Sequence, residues 1–143
     1  MTLRRCGERP LAALADREPP LEYLVARAAL LREDLRRAAI DIGTATEIVL
    51  NNAYRQKITA IANAGRTLSQ EQRNLRTLTQ VLFDTHAGLG VTRVELDELI
   101  HARNIAVHEG RETPADELHQ CLTTLTTLLQ ENMPPMASRP ISA

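Results

Sequence analysis

The residues best suited to chemistry lie between Thr92 and Glu109. Leu96, Leu99, Ile100, Arg103 and Val107 recur at i, i+3, i+4, i+7 and i+11, a spacing that lines them along one stripe of an α-helix. Arg103 interrupts an otherwise apolar row. A guanidinium there must snorkel to water, meet a carboxylate or face a second molecule, because an unpaired buried charge is costly. A second stripe is polar: Asp97, His101, Asn104 and His108. On most helices such a stripe is a solvated face. Here it holds two of the four histidines, Asn104 and His108 are one turn apart, and Arg103 adjoins Asn104. His108 also falls in the last turn before Gly110, where the helix dipole favours imidazolium. Guanidinium, amide and imidazole in one short segment suit phosphate-directed acid–base work: arginine offers a planar fork for oxyanions, and histidine exchanges protons near neutral pH.

An element carrying an acid must face this helix. The pattern from Asp34 to Ala62 places Ile40, Gly43, Glu47, Leu50, Tyr54, Ile58 and Ile61 on one stripe and Ala38, Ile42, Ala45, Val49 and Ala53 on another. A helix apolar on two sides belongs at the centre of a bundle. Glu47 is the one acid in the first stripe, and the expectation is that Glu47 and Arg103 approach each other across the bundle. The bland alternative is a structural ion pair, or two side chains that bend out to solvent.

The other elements follow from start and stop signals. Pro19 and Pro20 open a helix over about Leu21–Arg32, and Gly65 ends the long Asp34–Ala62 pattern. Ser69-Gln-Glu-Gln72 is a capping box for a helix running to Gly88 and Gly90. Thr92-Arg-Val-Glu95 is another, for a helix through Glu109. Thr113 as cap and Pro114 at the first helical position open Ala115–Gln130. Strand formers are sparse, so the fold class is all-α, an antiparallel helical bundle of about five helices. The expected organisation is an N-terminal extension over 1–18 (partly helical near Leu11–Ala15), a bundle over 19–132 and a mobile tail over 133–143.

Composition bounds the function. The 143 residues fit one domain, and 43% apolar with 24% charged residues is ordinary globular usage. Lys plus Arg is 17 against 18 Asp plus Glu, and Lys57 is the only lysine. A net charge of −1 is not the footprint of a protein held on nucleic acid by charge alone. Tyr23, Tyr54 and Phe83 are the only aromatics, which excludes a base-stacking sheet. No apolar run reaches the roughly 20 residues of a membrane span, and the N-terminus lacks the apolar core of a signal peptide. The expectation is a cytoplasmic protein that does not engage a membrane.

Leu99-Ile-His-Ala-Arg-Asn-Ile-Ala-Val-His-Glu-Gly110 carries a wider likeness. Arg103-Asn104-Ile-Ala-Val-His108 resembles the Arg-polar-x-x-x-His signature of the HEPN superfamily (higher eukaryotes and prokaryotes nucleotide-binding domains). Arg36-Arg-Ala-Ala-Ile-Asp-Ile-Gly-Thr-Ala-Thr-Glu47 is similar to the early helix of that family, which carries an acid among small residues. The likeness spans about Leu21–Gln130. It implies a helical bundle, usually dimeric, with Arg and His of both subunits facing one cleft. Many members are metal-independent ribonucleases acting as toxins, antiviral-defence effectors or CRISPR-associated nucleases; others are catalytically silent modules that dimerise or bind a nucleotide or partner. By position, Arg103 and His108 would be the catalytic pair, Asn104 the polar accessory and Glu47 the supporting acid, with RNA as substrate, no metal or other cofactor, and an antitoxin or defence-system protein as a further partner. Members silenced through a tyrosine two residues after the histidine are a poor match, because Gly110 stands there.

The chemistry implied is attack of an RNA 2′-hydroxyl on the adjacent phosphorus, which needs a proton acceptor, a proton donor and positive charge at the transition state. One His108 cannot fill both proton roles at once; two copies across a two-fold axis can. A metal hydrolase is the rival enzyme class. His101 and His108 are seven residues apart, about 10.5 Å along a helix at 1.5 Å per residue, too far to share a zinc, and His86 and His119 have no companions at ligand spacing. Gly88-Leu-Gly90 reads as a helix terminator, Thr123–Leu129 as a packed final helix, Arg36 and Arg37 as solvated, and Cys121 as a small core residue. Cys6 and Cys121 make no disulfide framework.

Overall fold

The computed structural model describes residues 19–85 and 88–133. Its elements are α1 (Leu21–Leu31), α2 (Leu35–Gln56), α3 (Ile58–Asn63), a 3-10 turn (Gln70–Gln72), α4 (Leu75–Asp84), α5 (Arg93–Asn104), a π turn (Ile105–Glu109) and α6 (Ala115–Asn132). Among the described residues there is no strand, and the fold is an all-α helical bundle of six helices. The extension over 1–18 with Cys6, His86, and the tail beyond Met133 lie outside the described residues.

Helix α2 is central because it is apolar on two sides. Ala38, Ile42, Ala45, Val49 and Ala53 are buried on one, Leu50 and Tyr54 on the other. It packs against α1, α4, α5 and α6 and touches the π turn. The link from α1 is tight: the Asp34 N–H returns to the Ala29 carbonyl at 2.9 Å, with Glu33 left-handed at φ 59°, the geometry that closes many helix C-termini. Helix α6 buries Leu118, Leu122, Leu125, Leu128 and Leu129 against this frame. Its Thr126 hydroxyl lies 3.1 Å from the Tyr23 hydroxyl and donates to Leu122 O, so the threonine-rich run packs as expected.

Three boundaries differ from the sequence reading. The Asp34–Ala62 pattern breaks at Lys57, where φ −110° and ψ 20° leave the helix. Beyond the break Ile61 is fully buried while Ile58, on the same expected stripe, stays exposed. The Ser69 box forms, with Gln72 Oε1 accepting from Ser69 N–H at 2.9 Å, but it opens only the 3-10 turn. Arg73 then departs at ψ 84° to stack over the Tyr54 ring, 4.7 Å from its centroid. Helix α4 starts afresh at Asn74, whose Oδ1 accepts from Thr77 N–H at 3.0 Å. Finally, Pro114 with ψ 147° occupies the cap position of α6 where Thr113 was expected, one residue later, and the Thr113 hydroxyl is buried without a partner.

Tyr54 ties the connection between α3 and α4 to the core: its hydroxyl accepts from Leu68 N–H at 2.8 Å while its ring carries Arg73. Tyr54→Phe keeps the ring and strands that N–H. Urea unfolding is expected to show a loss of about 1 kcal/mol or somewhat more, the usual cost of an unmade hydrogen bond, with faster proteolysis in the 64–74 segment.

Candidate active site

Arg103 is half-buried because of what lies opposite it. A Cβ placed on Gly43 would come within 2.3 Å of Arg103 Cγ and 3.0 Å of its Cβ. The arginine stem therefore crosses α2 at the one position in that region with no side chain, and any larger residue at 43 must displace it. Near its head, Arg103 Nη1 makes a long 3.5 Å contact with Asn104 Oδ1. None of the ion pairs among the described residues includes Arg103 or Glu47.

His108 is placed by a change of helical pitch. In a continuous α-helix it would point about 140° away from Arg103, at 100° per residue. Instead α5 ends at Asn104 and the chain takes the wider π turn, closed by Gly110 N–H bonding to Ile105 O. An i→i+5 turn spends more residues per revolution, which swings His108 back toward the Arg103 side. Gly110 is left-handed at φ 65°, a conformation that suits glycine. The turn also leaves carbonyls without α-helical partners, and Arg36 Nε donates to Ala106 O at 2.9 Å. Arg36 is exposed, as expected, and its Nε also serves as a strut for the turn. Arg37 pairs with Asp41 at 2.9 Å.

The result is a cavity of about 280 Å³ lined by Glu47 from α2, Arg103 and Asn104 from α5, and His108 from the π turn. All four residues singled out in the sequence meet there. Glu47 and Arg103 share its walls, but without the direct pairing that was expected. Its remaining wall is the start of α4: Asn74, Leu75 and Arg76. Arg76 is exposed, and no ion pair or hydrogen bond holds its guanidinium within the described residues. Sequence reasoning missed Arg76 and Asn74 because it began the helix at Ser69. The spacing Asn74-Leu-Arg-Thr77 was the available signal, a cap box beside a stronger-looking one. Two guanidinium groups, an imidazole and the N-terminal end of a ten-residue helix converge on a space suited to a compact anion, with one carboxylate beside them.

His101 and Asp97, the rest of the polar stripe, line a neighbouring cavity of about 320 Å³ that shares Arg76, Ile100 and Asn104 with the first. Another cavity, about 430 Å³, lies against the loop before α6 and Cys121, and His101 lines it as well. It contains none of the four candidate residues and is rimmed by Glu98, Glu112 and Glu117. Burial, aided by Glu98 and Glu117, pushes the Cys121 thiol up to about 11, so it is no nucleophile at neutral pH. No group of three His, Cys, Asp or Glu side chains gathers as a metal site among the described residues, and no described helix is long and apolar enough to cross a membrane.

Two measurements follow from this geometry. Arg103→Met keeps a flexible stem beside Gly43 and removes the unpaired cation. Urea unfolding is expected to show unchanged or slightly raised stability, by up to about 1 kcal/mol, whereas an arginine holding a structural ion pair would lose about 3 kcal/mol or more. For Cys121, the folded thiol is raised above its unfolded value, so its contribution to stability is complete below pH 9.0 and disappears as pH climbs toward about 11. Wild type is expected to lose more stability than Cys121→Ala across that window, and iodoacetamide labelling of the native thiol at pH 8 should be far slower than in urea.

No family model, curated protein or solved structure matches the chain.

Proposed function

We propose that the chain is a metal-independent endoribonuclease of the HEPN type, with its active site at a homodimer interface. The observation that carries this reading is the common cavity of Glu47, Arg103, Asn104 and His108, built from segments that lie more than fifty residues apart in sequence. An arginine without a carboxylate partner, held by a glycine on the central helix, suits a role toward an external anion.

In this reading the scissile phosphate occupies the cavity. Arg103 presents its planar guanidinium to the non-bridging oxygens and gains most as negative charge builds in the pentavalent transition state. His108 moves the proton: it takes it from the attacking 2′-hydroxyl or gives it to the departing 5′-oxygen, and the partner subunit's copy supplies the other transfer. Asn104 orients the phosphate or the imidazole, and Glu47 offsets the accumulated positive charge. The products are a 2′,3′-cyclic phosphate and a free 5′-hydroxyl. Ile48 and Val107, neighbours of Glu47 and His108 in sequence, are both exposed and are apolar surface available to a second subunit. Toxin or antiviral-defence action, with a controlling antitoxin or system protein, is the biological setting this chemistry fits.

The second reading is a catalytically silent dimerisation or nucleotide-binding module, which the net charge of −1 favours because non-specific RNA affinity is mostly a matter of phosphate contacts by cations. Labelled RNA incubated with the protein in EDTA distinguishes them. Wild type is expected to cut, and His108→Ala to lose at least about a hundredfold, the usual contribution of a positioned acid–base group. Gly43→Ala, which touches no substrate, is expected to lose about ten- to a hundredfold by displacing the Arg103 stem, while circular dichroism shows it still helical. Solution mass should give a dimer at micromolar concentration. A strict monomer, or wild type inert on several RNAs, rejects the nuclease.

A further inference from the structure

The half of the polar stripe that the proposed reaction leaves unused is Asp97 and His101, and both face the cavity of about 320 Å³ beside the catalytic one. Arg93 and Thr79 complete its wall, and Arg76 and Asn104 belong to both cavities. Arg93 is pre-oriented: its guanidinium sits 5.7 Å from the Phe83 ring centroid and 3.5 Å from Asp97 Oδ1. That ion pair is loose and half-exposed on both sides, so water screens it and an incoming anion can displace the carboxylate. Thr79 is spoken for, since its hydroxyl donates to Leu75 O at 2.7 Å. The groups left for a ligand are therefore Arg76, Arg93, His101 and Asn104, all donors in their charged or amide forms.

The two cavities adjoin: they share Arg76, Ile100 and Asn104, and the second continues toward the start of α5 through His101, Asp97 and Arg93. We propose that the neighbouring cavity is a second phosphate seat, taking the phosphate one nucleotide along the same RNA strand from the one cleaved. Arg76 stands between the seats and bridges the two phosphates, and Arg93 serves the second alone. This rests on the nuclease reading for the identity of the ligand. It adds a positioning function: the strand is held at two consecutive phosphates, which fixes its direction across His108 without reading any base. That suits a site where no tyrosine or phenylalanine lines either cavity.

Binding of 2′-O-methyl oligonucleotides, which lack the attacking hydroxyl, separates the seat from the chemistry. The probes are a trinucleotide with two charged linkages and the same trinucleotides with one or the other linkage as a neutral methylphosphonate. Wild type is expected to hold the fully charged strand about tenfold tighter, the scale of one charge-assisted hydrogen bond. The salt dependence should be steeper by about 0.7 in logarithmic slope, as one added phosphate contact requires. Arg76→Ala and Arg93→Gln, both at exposed positions, should each bring that ratio to about threefold or less. Equal wild-type affinities for all probes, no measurable wild-type binding, or an unchanged ratio in either variant overturns the second seat. Cleavage in EDTA decides the reaction separately. A wild type that is inert yet prefers two charges keeps the seat and loses the nuclease; one that cuts without the preference keeps the nuclease and loses the seat.

Discussion

The arrangement depends on the close crossing of Gly43 and Arg103. A glycine in the middle of a helix costs about 1 kcal/mol relative to alanine, and a half-buried guanidinium with no carboxylate partner is also unfavourable. Each looks like a fault on its own. Together they fit, because the missing Cβ at 43 opens the channel along which the arginine stem runs. The apolar methylenes are covered by α2 while the cationic head reaches the cavity. Local choices that contradict the stability of their own helix mark positions where something other than stability is being served.

The π turn has the same character. Continuing α5 as an α-helix would have kept its i→i+4 ladder unbroken to Gly110 and left His108 turned away from Arg103. The wider turn disturbs that ladder, and Arg36 reaches from α2 to donate a hydrogen bond to Ala106 O. Helix α2 thus holds both halves of the pair: Gly43 locates Arg103, and Arg36 steadies the segment that carries His108. Glu47 is on the same helix, one turn beyond Gly43. The central helix is central to the site for the same reason it is central to the core, since it is the helix all the other helices touch.

How much of this was legible in the sequence differs from residue to residue. Arg103 and Glu47 stood out because a charge in an apolar stripe violates a period that is easy to count, and the all-α bundle with α2 at its centre followed from the same counting. The crossing with Gly43 did not, since stripes specify faces and leave pairings between faces open. The π turn was invisible because α and π turns share composition and differ in one hydrogen-bond step. Arg76 was lost to a boundary: two cap boxes stand five residues apart, at Ser69 and Asn74, and the first opens only a 3-10 turn because Arg73 finds the face of Tyr54. A shift of the helix start moves every later residue around the axis, so Arg76 had no assigned face at all. Only the folded arrangement brings it to the same cavity wall as Asn104.

The net charge of −1 gains a different weight from this geometry. It argued against a protein gripping RNA over a broad basic surface. A cavity works at shorter range. At physiological salt, exposed charges more than about 8 Å apart are largely screened from each other, so carboxylates elsewhere on the bundle do little to cancel Arg76 and Arg103 inside a concave wall. Glu47 is the carboxylate that stands within it, and it makes no ion pair there among the described residues. The balance that matters is therefore two guanidinium groups and an imidazole against one carboxylate, set by three elements whose convergence no count of charges along the chain records.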